Sequence, residues 1–155
     1  MSLRLAGLAA GVVLLAGWTA QSAARSVNYV ARMNGAQETP ANNTKATGSA
    51  TLSLDGTKLH YSVEVHDLSG PATAAHIHVG ATGVAGPPVF TFPIKAGVGM
   101  SGNVSEGTID LTRDASTGVS GDSLKILLNN GHAYINVHTK NFPGGEIRGQ
   151  VMMKQ

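Results

Sequence analysis

Lys58-Leu59-His60-Tyr61-Ser62-Val63-Glu64-Val65-His66-Asp67-Leu68 is the stretch that decides the fold. Leu59, Tyr61, Val63 and Val65 fall on one parity, and His60, Ser62, Glu64 and His66 on the other. An apolar–polar alternation of period two marks a strand with one buried face and one wet face. Asp55-Gly56 stands just before it, a hairpin signal. Ahead of that turn Thr47–Leu54 alternates again, with Ala50, Leu52 and Leu54 on one face. The reading extends outward to strands over 27–33, 73–79, 89–94, 108–111, 133–139 and 146–152, with a glycine-rich connection before Thr108. Leu124, Leu127 and Leu128 break the pattern. Their helical spacing, after a Ser120 or Asp122 cap and before Gly131, predicts a short helix within 120–129. Many short strands in a chain of this length predict an all-β, antiparallel Greek-key sandwich or barrel, immunoglobulin-like, with one inserted helix.

The chain has 155 residues. Met1–Ala24 reads as an export signal: Arg4 is the positive end, Leu5–Trp18 is uncharged, and Ser22 and Ala24 make a small-x-small cleavage site. An apolar stretch of about 14 residues is shorter than the roughly 20 that span a bilayer. Residues 25–155 then form one domain, secreted or periplasmic, with no membrane partner after cleavage. Lys plus Arg is 11 against 9 Asp plus Glu. That balance lacks the clustered basic surface of a nucleic-acid binder. Cys is absent, which excludes disulfide staples, thiolate metal sites and cysteine nucleophiles. No nucleophile elbow, phosphate loop or dinucleotide fingerprint is present.

The six histidines carry the chemistry. In Ala75-His76-Ile77-His78-Val79 the apolar residues share one parity and the two histidines the other. In Tyr134-Ile135-Asn136-Val137-His138-Thr139, Asn136 and His138 oppose the core-facing Ile135 and Val137. In Glu146-Ile147-Arg148-Gly149-Gln150-Val151, Glu146, Arg148 and Gln150 oppose Ile147 and Val151. Three strands thus turn polar side chains to the face away from the core, which is expected to be the outer face. Residues i and i+2 of a strand project side by side. His76 and His78 could therefore share one metal ion with His138, copper or zinc being the candidates for three imidazoles. Without a metal, the same histidines would tie down loops. His60 and His66 belong to a solvated face, and His132 to a turn. Arg148 and Glu146 could form a surface ion pair, or act around the histidines with Asn136, as an anion guide and a histidine orienter.

Four ordered motifs resemble the CHRD domain family, named for its occurrence in chordin and widespread in exported bacterial proteins. They are Gly35-Ala36-Gln37-Glu38-Thr39-Pro40, Ala74-Ala75-His76-Ile77-His78-Val79-Gly80, Tyr134-Ile135-Asn136-Val137-His138-Thr139 and Pro143-Gly144-Gly145-Glu146-Ile147-Arg148-Gly149-Gln150. The resemblance spans the mature chain and implies a fold more than an activity. A more distant likeness is to Cu/Zn superoxide dismutase. There His76 and His78 are similar to a copper-binding His-x-His pair, His138 to a late-strand copper ligand, and Arg148 to an anion-guiding arginine. That family's bridging histidine, zinc-loop ligands and disulfide have no counterpart here. Three functions follow: an exported module binding a metal at its histidines, a metal-free extracellular interaction domain with a protein partner, or a dismutase-like redox enzyme.

Overall fold

The computed structural model describes residues 26–113 and 118–155. The expected export signal, residues 1–24, lies outside them. The strands are β1 (Val27–Asn34), β2 (Thr47–Asp55), β3 (Lys58–His66), β4 (Ala72–Val79), β5 (Pro88–Thr91), β6 (Gly102–Asp110), β7 (Ala133–Thr139) and β8 (Ile147–Met153). One helix, α1 (Gly121–Asn129), precedes β7. The strands form one sheet in the order β5-β4-β7-β8-β1-β2-β3-β6, and every pairing is antiparallel. It curls into a half-barrel. Its far sides are linked by the chain after β5, where Phe92 N–H donates to Ala75 O and Lys95 N–H to Val104 O. The expected all-β antiparallel architecture is the one observed.

The alternation read from β3 is the alternation found. Leu59, Val63 and Val65 have no exposed surface and Tyr61 has little, while His60, Glu64 and His66 are exposed. Each such buried side chain contributes roughly 1.5–3 kcal/mol by leaving water. Val63 lies opposite Ala50, and Ile77 opposite Ile135, so the apolar positions of neighbouring strands meet inside the curl. Tyr61 closes on Phe92, with ring centroids 4.7 Å apart. In the β2–β3 hairpin Asp55 pairs with Lys58, and Gly56 takes the positive φ of 57° at the first turn position. Ser120 caps α1 by accepting from Ser123 N–H at 3.2 Å. Leu124 and Leu128 are buried on the core, while Leu127 is half-buried.

Two expectations need correction. β6 begins at Gly102, not near Thr108. A register shift between Val63 and Glu64 of its partner marks a bulge, and Val104 and Ser105 are buried in succession. A bulge destroys the period-two signal over its own length. The second correction concerns the face opposite the core. On β7 and β8 it is covered rather than outer: Tyr134, Asn136, Arg148 and Gln150 are all buried, as is Glu146 just ahead of β8. The parity is as expected, but the chain around 38–46 and the loop over 80–87 lie on that face and close it from water.

Candidate metal centre

Register builds the centre. His76 of β4 lies opposite Asn136 of β7, which lies opposite Arg148 of β8. One step along, His78 lies opposite Tyr134, and Tyr134 opposite Gln150. His138 lies opposite Ala74. Antiparallel partners share a sheet face, so these side chains form one polar layer across three strands. Within it His76, His78 and His138 each offer one ring nitrogen, and all three nitrogens lie within 4.8 Å of one another. Each ring is half-buried.

The outer ring nitrogens define the inner ones. His78 Nδ1 is 2.8 Å from Gly86 O, and His138 Nδ1 is 2.9 Å from Pro143 O. A carbonyl oxygen only accepts, so in both rings Nδ1 carries the hydrogen. The neutral ring then presents an unprotonated Nε2 to the centre. His78 Nε2 is buried and makes no hydrogen bond. His138 Nε2 faces His76 Nδ1 at 3.0 Å and Asn136 Oδ1 at 3.0 Å. Histidines that hold metals donate their second N–H to carbonyls in this manner. Three nitrogens around a tetrahedral ion at 2.0–2.1 Å stand about 3.3 Å apart, closer than the 4.8 Å within which this set lies.

His76 and His78 resist protonation. Burial lowers the pKa of His76 below the usual histidine value, and the neighbouring His138 and His78 lower it further, against a raising hydrogen bond from Asn136. Burial also lowers that of His78, opposed by its Gly86 bond. His78 stacks on Tyr134 with centroids 4.8 Å apart, and the Tyr134 hydroxyl meets the backbone of Gly86. Gly86 must be glycine, because a Cβ there would fall 1.7 Å from Val79 O. That close approach delivers the carbonyl that orients His78.

Arg148 and Glu146 do not pair with each other. The Arg148 guanidinium, 2% exposed as a residue, donates to Thr39 Oγ1 at 2.9 Å and to Ala81 O and Val84 O at 3.0 Å. Its carbon sits 3.5 Å over the Tyr134 ring. It thereby joins both covering loops to the aromatic ring on which His78 rests. Glu146 occupies a box of donors: Thr44 Oγ1, Ser69 N–H, Ser69 Oγ and Thr139 Oγ1, at 2.6–2.8 Å. Despite burial, those hydrogen bonds hold its pKa below the usual carboxylate value. Asn136 alone of the three accessory residues touches a cluster histidine by a direct hydrogen bond. His60 bonds Thr108 Oγ1 at an exposed position, and His66 and His132 are exposed, away from the cluster.

One residue, Glu38, has no assigned role in the sequence reading. Glu38 is 9% exposed, and its Oε1 is buried with no partner. Desolvation raises its pKa to about 7, against lowering contributions from the Thr39 backbone and Arg148. It abuts Gly145, whose φ is +128°. A Cβ on that glycine would lie 2.5 Å from Glu38 Oε1 and 2.9 Å from Asn136 Nδ2. The signal was there only as a lone acid inside one of the four motifs.

No curated protein and no solved structure matches the chain at a significant level. A family model does, that of the CHRD domain, over residues 29–151. That span holds every strand from β2 to β7, both covering loops and all the residues of the polar layer. By this match over most of its length, the chain belongs to the CHRD domain family.

Proposed function

We propose that this protein is an exported binding module that takes up one transition-metal ion, copper or zinc, at His76, His78 and His138. One observation carries the reading: three imidazole nitrogens converge within 4.8 Å, and the buried His78 Nε2 among them has no hydrogen-bond partner. A buried acceptor without a donor costs about 1–3 kcal/mol, and a cation at the centre removes that cost. The donor chemistry suits these metals, which favour neutral imidazole. Elemental analysis of the purified protein tests this. About one equivalent of copper or zinc that survives dialysis is expected. A metal-free protein that also gains no thermal stability from added Cu(II) or Zn(II) would refute it.

Export forms part of the reading and rests on residues 1–24. Among the described residues no helix is long and apolar enough to cross a membrane. Mass spectrometry of the exported protein should place the new N-terminus at Arg25, and an intact Met1 would contradict it.

The second reading, a metal-free interaction domain, is favoured by the two bonds from His78 and His138 to loop carbonyls. In that reading the histidines are loop anchors. The dismutase-like reading has less support, because the Arg148 guanidinium is already engaged by Thr39, Ala81 and Val84. An arginine so committed is a brace between loops.

A further inference from the structure

Acceptors outnumber donors around the histidines: His78 Nε2 and Glu38 Oε1 are buried without a partner, and two acceptors meet at His138 Nε2. His138 Nδ1 donates to Pro143 O, so a neutral His138 has only a lone pair at Nε2. Yet Asn136 Oδ1, itself an acceptor, stands 3.0 Å from that Nε2. His76 Nδ1 stands 3.0 Å from the same Nε2. The amide oxygen therefore points at the same centre as the three ring nitrogens. Turning the amide over would give His138 a donor, but would set the oxygen against Glu38. An ionised Glu38 only accepts, its Oε1 is buried without a partner, and Asn136 Nδ2 abuts the same bare face of Gly145 as that oxygen. Asn136 Nδ2 and Glu38 Oε1 stand together over the bare face of Gly145, with no hydrogen bond between them. A carboxylate beside Nδ2 favours the orientation that leaves the amide oxygen facing the histidines.

We infer that Asn136 Oδ1 is a fourth ligand, making a three-nitrogen, one-oxygen site for a divalent ion, and that Glu38 is the positioning residue that orients it. This rests on the metal reading above and deepens it. An amide oxygen is a hard donor, which suits Cu(II) or Zn(II) over Cu(I). Gly145 is part of the device, since any side chain there would separate Glu38 from Asn136.

The test is magnetic resonance on the Cu(II)-loaded protein, grown with 13C-labelled asparagine. Hyperfine spectroscopy should show a 13C coupling from the ligating amide beside the nitrogen couplings of three imidazoles. The labelled parent needs no substitution and so decides the point even if a variant fails to fold. Asn136→Ser should weaken Cu(II) binding about 10–100-fold, the range seen when a metal site loses a supporting group. Glu38→Leu should reduce the 13C coupling, while Glu38→Gln, which keeps an acceptor for the amide N–H, should restore it. Normal three-imidazole binding without 13C coupling would overturn this inference and leave the metal reading intact. Failure of the parent to bind Cu(II) or Zn(II) would overturn both.

Discussion

Arg148 and Tyr134 are locked face to cation, the guanidinium carbon 3.5 Å above the ring centroid. Through that contact the two loops held by Arg148 and the ring stacked on His78 become one assembly. Removing the arginine therefore removes the brace and strands two loop carbonyls. Arg148→Met should cost about 2–4 kcal/mol of stability, from lost charge-assisted hydrogen bonds and unsatisfied carbonyls. Arg148→Lys should recover less than half of this, because one ammonium cannot reproduce the planar fork. Urea unfolding of the metal-free protein measures both. Unchanged midpoints would show that the brace contributes nothing.

Glu38 gives a pH signature of known sign. Its folded pKa, about 7, lies above its unfolded value near 4.5. The folded state thus binds more protons between these pH values, and stability declines as pH rises from about 4.5 to 7. Glu38→Gln abolishes this dependence. Relative to the parent, the variant should gain on the order of 1–3 kcal/mol between pH 4.5 and pH 8, in the absence of metal. Denaturation at the two pH values checks it, and parallel curves would refute it.

The histidines act in the opposite direction. The pKa values of His76 and His78 are lowered in the folded state. The unfolded chain takes up protons first as pH falls through about 6.5, the ordinary value, so the folded state loses stability below it. His78→Phe, which retains an aromatic ring against Tyr134, should be less sensitive to acid than the parent between pH 7.5 and 5. Equal sensitivity in thermal unfolding would contradict this. For metal uptake the lowered pKa values have a second effect: binding should persist somewhat below pH 6.5 before protons compete for the nitrogens.

Core packing was the most legible part of the chain. Leu59, Val63, Val65, Ile77, Ile135, Val137, Ile147 and Val151 are fully buried, and Tyr61 nearly so, while Val79 is partly buried against them. Alternation reports which way a side chain points, and that sufficed for the core and for the shared face of His76, His78 and His138. It does not report what covers a face. Arg148 and Glu146 therefore read as surface residues, although distant loop residues, Thr39, Thr44, Ser69 and Val84 among them, enclose them. Glu38 was hidden for the same reason, its burial being set by Gly145 about a hundred residues away. The bulge at Val104 and Ser105 hid half of β6 by breaking the period itself.

Val63→Ala and Ile135→Ala should each cost about 1–4 kcal/mol, by lost burial and a residual cavity. Both positions have no exposed surface. Ile135 lies between Ile77 and Gly149 in the sheet, directly behind the polar layer. Its loss should also loosen the histidines, seen as weaker metal binding than in Val63→Ala. Chemical denaturation and metal titration together separate the two effects, and equal metal affinity in both variants would contradict the second.

In the metal reading His76, His78 and His138 form one centre. Its most direct measurement is equilibrium titration of the purified protein with Cu(II) and Zn(II) at pH 7.5, for the parent, His78→Ala, His60→Ala and His66→Ala. The parent, His60→Ala and His66→Ala should each bind one ion with similar affinity, and His78→Ala should bind at least about 100-fold more weakly, having lost a ligand. No saturable binding by the parent, or equal loss in all three variants, would contradict the account and leave the histidines as loop anchors.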